Sequence, residues 1–337
     1  MKAWEVREGT LSWSRLARPE PRPDQTLVEV AFSGVCGSDL AKITKSPIPT
    51  PGHTWRPGHE VVGWDLSTPS GPLVVVDPLV PCDSCANCAT GAIHLCPGIL
   101  RLGWDLPGGF AEFVVAPRRN VLPLPEGADP AQAVLADALA VAVHGIRCGL
   151  SNHRPGNLAV VGSGPLALCS AAYAASHGWS VTVLVRNAGK LAAVAEHIDA
   201  TFTSLHEAPR NGFDAVVDAA SGRDDRPLDA ALSLVRDGGT VLVQNAYDPG
   251  VRLHHDLRNV FRRSITITGS FSYCRRHGTG DLPEALQVLA QRPAWADPLV
   301  GCRFPLRSLP SAVAAVTTGT GIRPIKAVLV AEAASPA

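Results

Sequence analysis

Two short stretches hold side chains able to do chemistry together. Gly34-Val35-Cys36-Gly37-Ser38-Asp39 sets a thiol, a hydroxyl and a carboxylate within four residues, and in Pro57-Gly58-His59-Glu60 a second carboxylate follows an imidazole at once. Thiolate and imidazole are ligands that zinc prefers, and a catalytic zinc site takes three protein ligands and leaves a fourth position open. Cys36 and His59 therefore need a third ligand from elsewhere. Asp39 suits the layer behind them, because a metal-bound imidazole usually donates its other N–H to a carboxylate or carbonyl. Ser38 is placed to pass on the proton of an alcohol at the metal. Taken alone, Cys36 reads more simply as a small buried hydrophobe, and His59 as a structural residue. The rest of the chain has to decide.

A second cluster is Cys82-Asp83-Ser84-Cys85-Ala86-Asn87-Cys88, with Cys96 after seven more residues. Two gaps of two residues are structural-zinc spacing, and four thiolates close a tetrahedron with no room for substrate. Nine cysteines in a chain whose start, Met1-Lys2-Ala3-Trp4-Glu5, shows no apolar leader point to metal before disulfides. The cytoplasm is the default expectation. A zinc-ribbon contact to nucleic acid is disfavoured by Asp83 and Asn87 within the cluster. It is disfavoured again by the balance of 30 basic against 30 acidic residues, which also removes the case for a membrane-surface patch.

These groups need elements to hold them. At 337 residues, two domains are the prior. Up to about residue 125 the pattern is short strands cut by Pro and Gly: Thr26–Ala31, Glu60–Trp64 and Leu73–Val76. It predicts a small antiparallel barrel or sandwich. From about 139 to 270, strands alternate with helices. The strand Leu158–Val161 runs into Gly162-Ser163-Gly164-Pro165-Leu166-Ala167 and a small-residue helix through Ala175. This is the G-x-G-x-x-A form of the dinucleotide fingerprint, with the pyrophosphate expected on the backbone of Gly162, Gly164, Pro165 and Leu166. Its interruption of the apolar run Leu158–Ala175 also argues against a membrane span.

The next strand, Ser180–Val185, ends without the acidic residue that NAD enzymes usually place on the ribose. Arg186 stands there instead, with Lys190 nearby to assist. Both suit a 2′-phosphate, so NADP is expected over NAD. The alternative has Arg186 stacking on adenine while NAD binds. Further strands are expected at Gly212–Asp218, Thr240–Val243 and Ile265–Thr268, with a helix Asp229–Val235 stopped by Gly238-Gly239. Helices Pro283–Gln291 and Leu309–Thr317 and a last strand Pro324–Val330 complete the prediction. The pairs Arg262-Arg263 and Arg275-Arg276 read as solvated surface, with a substrate anion as the sharper idea.

The Cys36–Asp39 stretch, Gly58-His59-Glu60 and the four-cysteine lobe, in that order, resemble the zinc-dependent medium-chain dehydrogenase/reductases of the alcohol dehydrogenase superfamily. The sorbitol, threonine and aminocyclitol dehydrogenases are the nearest in kind. The resemblance implies an α/β chain in which a Rossmann doubly wound parallel sheet joins a GroES-like β-rich catalytic domain with a structural-zinc lobe. The expected boundaries are 1–138 for the catalytic domain with its lobe at 82–96, 139–271 for the NAD(P)-binding domain, and 272–337 for the return to the first.

It further implies two zinc ions per chain. Cys36 and His59 hold the catalytic ion, with Asp137 on the third-ligand position, direct or through a water. Cys82, Cys85, Cys88 and Cys96 hold the structural one. Asp137 departs from the usual Glu or Cys, and a carboxylate merely facing a helix dipole is its plain alternative. Glu60 is expected beside the metal, exchanging with water. The implied reaction is reversible hydride transfer between a secondary alcohol (polyol, aminocyclitol or sugar-like) and NADP, with Ser38 carrying the proton away. The substrate is a small alcohol or ketone, and a homodimer or homotetramer is expected. The rivals are an NAD-preferring alcohol or threonine-like dehydrogenase and a non-catalytic nucleotide-binding sensor structured by zinc.

Overall fold

The computed structural model describes every residue except 8–9, 46–53, 70, 187–190, 221, 276–279, 292, 319–323 and 333–337. Lys190, Ser221 and Arg276 therefore lie outside the described residues. The chain divides into two compact units, one of Met1–Asp137 with Cys274–Ala337 and one of Ala138–Tyr273. Among the described residues no helix is long and apolar enough to cross a membrane.

The first unit is built around one long strand, Gln25–Val35, in a seven-stranded sheet. It pairs antiparallel with Glu60–Asp65, Phe113–Pro117 and Ala327–Val330. Val28, Val30, Val61, Val74, Val76 and Val114 pack one face into a core, the use to which pleated sheets put β-branched side chains. For the chemistry of this unit the register matters more than the core. Gly34 lies opposite Glu60, and Val35 lies opposite Ala327. Cys36, the His59-Glu60 pair and Lys326 are thereby delivered to the same end of three neighbouring strands. The last strand, Ala327–Val330, explains why the chain returns to this unit: Ala327, Val328 and Leu329 are fully buried there.

The second unit is a six-stranded parallel sheet. Its spatial order is Ala200–Ser204, Ser180–Val185, Asn157–Val161, Phe213–Asp218, Val235–Val243 and Thr266–Gly269. In chain order this reads 3-2-1-4-5-6, the doubly wound arrangement whose order reverses between the first and fourth strands. The inner strands hold apolar runs, Leu158–Val161, Ala215–Val217 and Val241–Val243, because helices cover parallel sheets on both faces.

One expected element changes character. The helix spans Arg226–Leu234 and ends before Val235, which is already extended. Gly238-Gly239 lie inside the strand Val235–Val243, where the register with the fourth strand shifts. A Cβ on Gly239 would meet the Asp214 carbonyl at 2.8 Å, so this glycine serves close backbone approach at an irregular pairing and does not stop a helix. The third strand, Ala200–Ser204, is short and polar at the sheet edge and carries no clear signal in the sequence.

Candidate metal and cofactor sites

Cys36 follows the central strand directly and lies just ahead of the helix Gly37–Lys45, with Ser38 and Asp39 in its first turn. The Leu40 amide donates to the Cys36 carbonyl at 3.1 Å, and the Cys36 amide donates to Asp39 Oδ2 at 3.3 Å. The strand-to-helix turn thus closes on itself and points Asp39, fully buried, back at the site. Its other oxygen faces His59 Nδ1 at 3.3 Å, and among the described residues neither atom has another hydrogen-bond partner. Burial works against a charge on His59. Asp39 and then Cys36 overcome it and hold the imidazole pKa well above its ordinary value.

His59 is set by a glycine cradle. Gly58 adopts φ +101, and a Cβ there would meet the Phe110 amide nitrogen at 2.6 Å. The Gly109 amide donates to the Gly58 carbonyl at 2.8 Å, and the Phe110 amide to the Pro57 carbonyl at 3.0 Å. Only glycine tolerates this combination of positive φ and backbone contact.

Ligand atoms of Cys36, His59 and Glu60 lie within 4.8 Å of one another. One Glu60 oxygen pairs with the ammonium of Lys326, and the other, Oε1, is buried with no hydrogen-bond partner. The side chains of Glu60 and Lys326 are each only 1% exposed. A buried carboxylate is tolerable when a cation neutralises it. Gly34 makes the room: a Cβ on it would sit 2.0 Å from Glu60 Oε2. A thiol, an imidazole and an orphaned carboxylate oxygen are a donor set that suits zinc. Lys326 is a site residue that sequence reasoning missed, although a lone cation within the apolar run Ile325-Lys326-Ala327-Val328 is its signal.

Asp137 stands outside that converging set, in the first turn of the helix Ala136–His144. Its carboxyl is enclosed by protein atoms although the residue keeps some exposed surface. Burial pushes it up to about 6, Glu60 adds to the rise, and the charges of His59 and Lys326 oppose it. It therefore shares the electrostatics of the site from beside the three nearest ligand atoms.

The lobe brings Cys82, Cys85, Cys88 and Cys96 together, again within 4.8 Å. Sulfur separations of 3.5 Å for Cys85–Cys88 and 4.0 Å for Cys82–Cys88 are contacts between free thiols. The Ser84 hydroxyl and amide draw Cys82 down to about 6, while desolvation and the neighbouring sulfurs push Cys88 up to about 12. Crowded sulfurs that cannot all ionise unaided suit a divalent cation. The polar residues of the loop have structural work. Asp83 turns the chain at φ 55 and pairs with Arg119 at 2.9 Å, and Asn87 donates to the Leu95 carbonyl at 2.6 Å.

In the second unit, Gly162 adopts φ +142, and a Cβ there would strike the Ala219 carbonyl at 2.6 Å. Gly164 caps the helix Pro165–Ser176, with Pro165 opening it, and a Cβ on Gly164 would enter open space. Free amides at a helix start beside open space suit a pyrophosphate. Val185 ends its strand buried, and Arg186 follows it, exposed.

Strand ends of this unit hold a further group that no sequence signal singles out. Asp218 is fully buried at the end of the fourth strand and accepts from the Tyr247 hydroxyl at 2.6 Å and the Asn245 amide at 3.3 Å. Burial raises the Asp218 pKa. Arg263 and Arg275 are structural. Arg263 pairs with Asp237 at 2.7 Å and donates to the Leu232 and Val235 carbonyls, and Arg275 pairs with Asp77 at 3.1 Å.

Comparison with known proteins gives likenesses of three kinds: to a family model, to named relatives and to a solved structure. The family model of the alcohol dehydrogenase GroES-like domain matches residues 22–126. D-altritol 5-dehydrogenase of Agrobacterium fabrum is 32% identical, over 90% of this chain and 92% of its own. D-arabinitol dehydrogenase 1 of Uromyces fabae is 30% identical, over 74% and 76%. Among solved structures, a Sinorhizobium meliloti 1021 protein described as a zinc-binding dehydrogenase and bound to NADP is similar at a TM-score of 0.85. It covers 98% of each chain at 25% identity.

Proposed function

The chain belongs to the zinc-type medium-chain dehydrogenase/reductase family, and from that premise we propose that it oxidises a secondary hydroxyl of a polyol or sugar-like alcohol, reversibly, with NADP. That it is an alcohol oxidoreductase follows from the family. The substrate class, the cofactor preference and the residue roles are our reading. The observation that carries it is the convergence of Cys36, His59 and Glu60, with one carboxylate oxygen left without a hydrogen-bond partner among the described residues.

Zinc would be held by Cys36, His59 and Glu60, with Asp137, whose carboxyl feels the charges of His59 and Glu60, as the alternative third ligand, direct or through a water. A second ion would be held by the four thiols of the lobe. When bound, the catalytic ion supplies Lewis acidity at the substrate hydroxyl, and the nicotinamide supplies the hydride acceptor. The chain's own residues do the rest. Asp39 fixes the tautomer and the aim of His59. Lys326 pairs with one Glu60 oxygen and so orients the carboxylate in this buried site. Ser38 Oγ accepts the hydroxyl proton and passes it outward. Gly162, Gly164, Pro165 and Leu166 hold the pyrophosphate. Arg186 pairs with the 2′-phosphate, a reading supported by the missing carboxylate at Val185 and by the NADP-bound relative.

The test is a panel of polyols, aminocyclitols and amino alcohols followed by nicotinamide absorbance with both cofactors. Polyol turnover with NADP, and a loss of about tenfold or more in NADP over NAD affinity for Arg186→Ala, are expected. An unchanged cofactor ratio would discard the role given to Arg186. Binding of cofactor without turnover of any alcohol would favour a sensor.

We also infer a homodimer formed through the edge strand Thr266–Gly269. This strand ends the sheet among the described residues, and Leu257, Phe261, Ile267 and Phe271, on it or close to it in the chain, are exposed, at 75%, 81%, 42% and 62%. Two copies pairing edge to edge would satisfy the backbone and bury this apolar patch. Ile267→Lys should give a monomer in sedimentation analysis, and an unchanged mass would reject this interface.

A further inference from the structure

We propose that Lys42 selects a substrate carrying an anionic group, carboxylate or phosphate, a few carbons from the hydroxyl that is oxidised. The inference rests on the catalytic reading of Cys36, His59 and Glu60 and deepens it.

Lys42 is on the helix Gly37–Lys45 that begins beside Cys36. Its ammonium lies over the Trp104 ring at 3.6 Å from the centroid and 5.1 Å from that of Trp55. Trp104 in turn meets the His59 ring edge-on at 6.4 Å. The Trp104 ring thus stands in contact with both the cation and the imidazole of the candidate metal site. The cage is fixed: Trp55 is buried and donates from its indole to the Gly103 carbonyl at 2.6 Å.

The local charge does not balance. A second cation, Arg101, lies 5.0 Å from the Trp104 centroid. It takes Asp105 for itself, at 3.1 Å from Nε and 3.0 Å from its own amide. Asp39, the other carboxylate acting on Lys42, is committed to the Cys36 amide and His59. Among the described residues Lys42 has no ion pair. Burial first, and then the Arg101 charge, lower its pKa, while Asp105 and Asp39 oppose the shift.

Indole faces stabilise a partly desolvated ammonium, but only in part. An anion arriving in the pocket would form a charge-assisted hydrogen bond and complete the neutralisation. A neutral polyol would leave the ammonium without that bond, and sites built for a polar group discriminate strongly against analogues lacking it.

The experiment uses zinc-loaded enzyme with glucitol, a glucitol phosphate and gluconate. Both kcat/KM and calorimetric Kd are measured for the native chain, Lys42→Met and Lys42→Arg. We expect at least one anionic compound to be preferred over glucitol by about tenfold or more. Lys42→Met, which keeps the packed stem, should erase most of that ratio through KM and Kd, and Lys42→Arg should restore part of it. The phosphate and carboxylate arms identify which anion fits. Equal or better handling of glucitol, or a ratio that Lys42→Met leaves intact, overturns the subsite. An intact Kd preference with no alcohol oxidised would support the subsite and overturn the catalytic reading instead.

Discussion

The four-thiol lobe and the Cys36–His59–Glu60 site are both groups of side chains, in one unit, whose donor atoms could hold a metal ion, yet they are assembled in opposite ways. The lobe takes all its ligands from one stretch of fifteen residues, Cys82 to Cys96, and its polar residues serve its own turns. The other site draws Cys36 from a strand end, His59 and Glu60 from a strand start, and its charge balance from Lys326 near the far end of the sequence. The first closes on local spacing. The second exists only because strand register brings three chain segments to one place. The lobe's donor atoms are all sulfur, whereas the other site mixes sulfur, nitrogen and oxygen and leaves its carboxylates unevenly partnered.

The sharpest way to break this division is a pair of cysteine changes. Cys82→Ser should lose the lobe's ion and much of the folding free energy, because structural zinc is worth about 10 kcal/mol or more in small domains. Cys36→Ser should keep the fold, lose about one ion of two by metal analysis, and abolish turnover. Equal losses of thermal stability in the two variants would erase the distinction. Next comes Lys326→Met, which leaves the Glu60 charge buried and alone. A cost of about 3–5 kcal/mol in denaturant unfolding is expected. Adding Glu60→Gln should recover part of it, and additive losses would show that the pair is not coupled.

Gly34→Ala ranks after these, since its Cβ would overlap Glu60 Oε2. About 1–3 kcal/mol of overpacking and weakened zinc binding at this site alone are expected, read by metal titration. The smallest effect belongs to the lobe's surface. Arg119→Ala removes an ion pair whose side chains are nearly half exposed, and a change within about 1 kcal/mol is expected in the same unfolding assay. A larger loss would mean that the lobe depends on more than its metal.

Legibility divides along the same line. The strands Leu73–Val76 and Ser180–Val185 and the helix Leu309–Thr317 have the limits their patterns suggest, because apolar period and Pro or Gly punctuation are local. The helix before Gly238-Gly239 ends earlier than its pattern suggests, because a glycine pair marks a helix stop and a close backbone approach equally well. Lys326 and Gly34 escape notice in the sequence for a different reason. One looks like a strand-end lysine and the other like a flexible turn until the register sets both against Glu60.

By itself, the order of residues determined which side chains were available, the thiol spacing of the lobe, the glycine turn of the nucleotide fold and the absence of an acid after Val185. Each depends on neighbours in the chain, whose distances the covalent backbone limits. The tertiary structure alone decided that Glu60 meets Lys326, that Asp39 backs His59, and that Lys42 lies on Trp104 with no ion pair among the described residues. Those are contacts between distant segments, set by strand pairing and burial, and no local pattern encodes them.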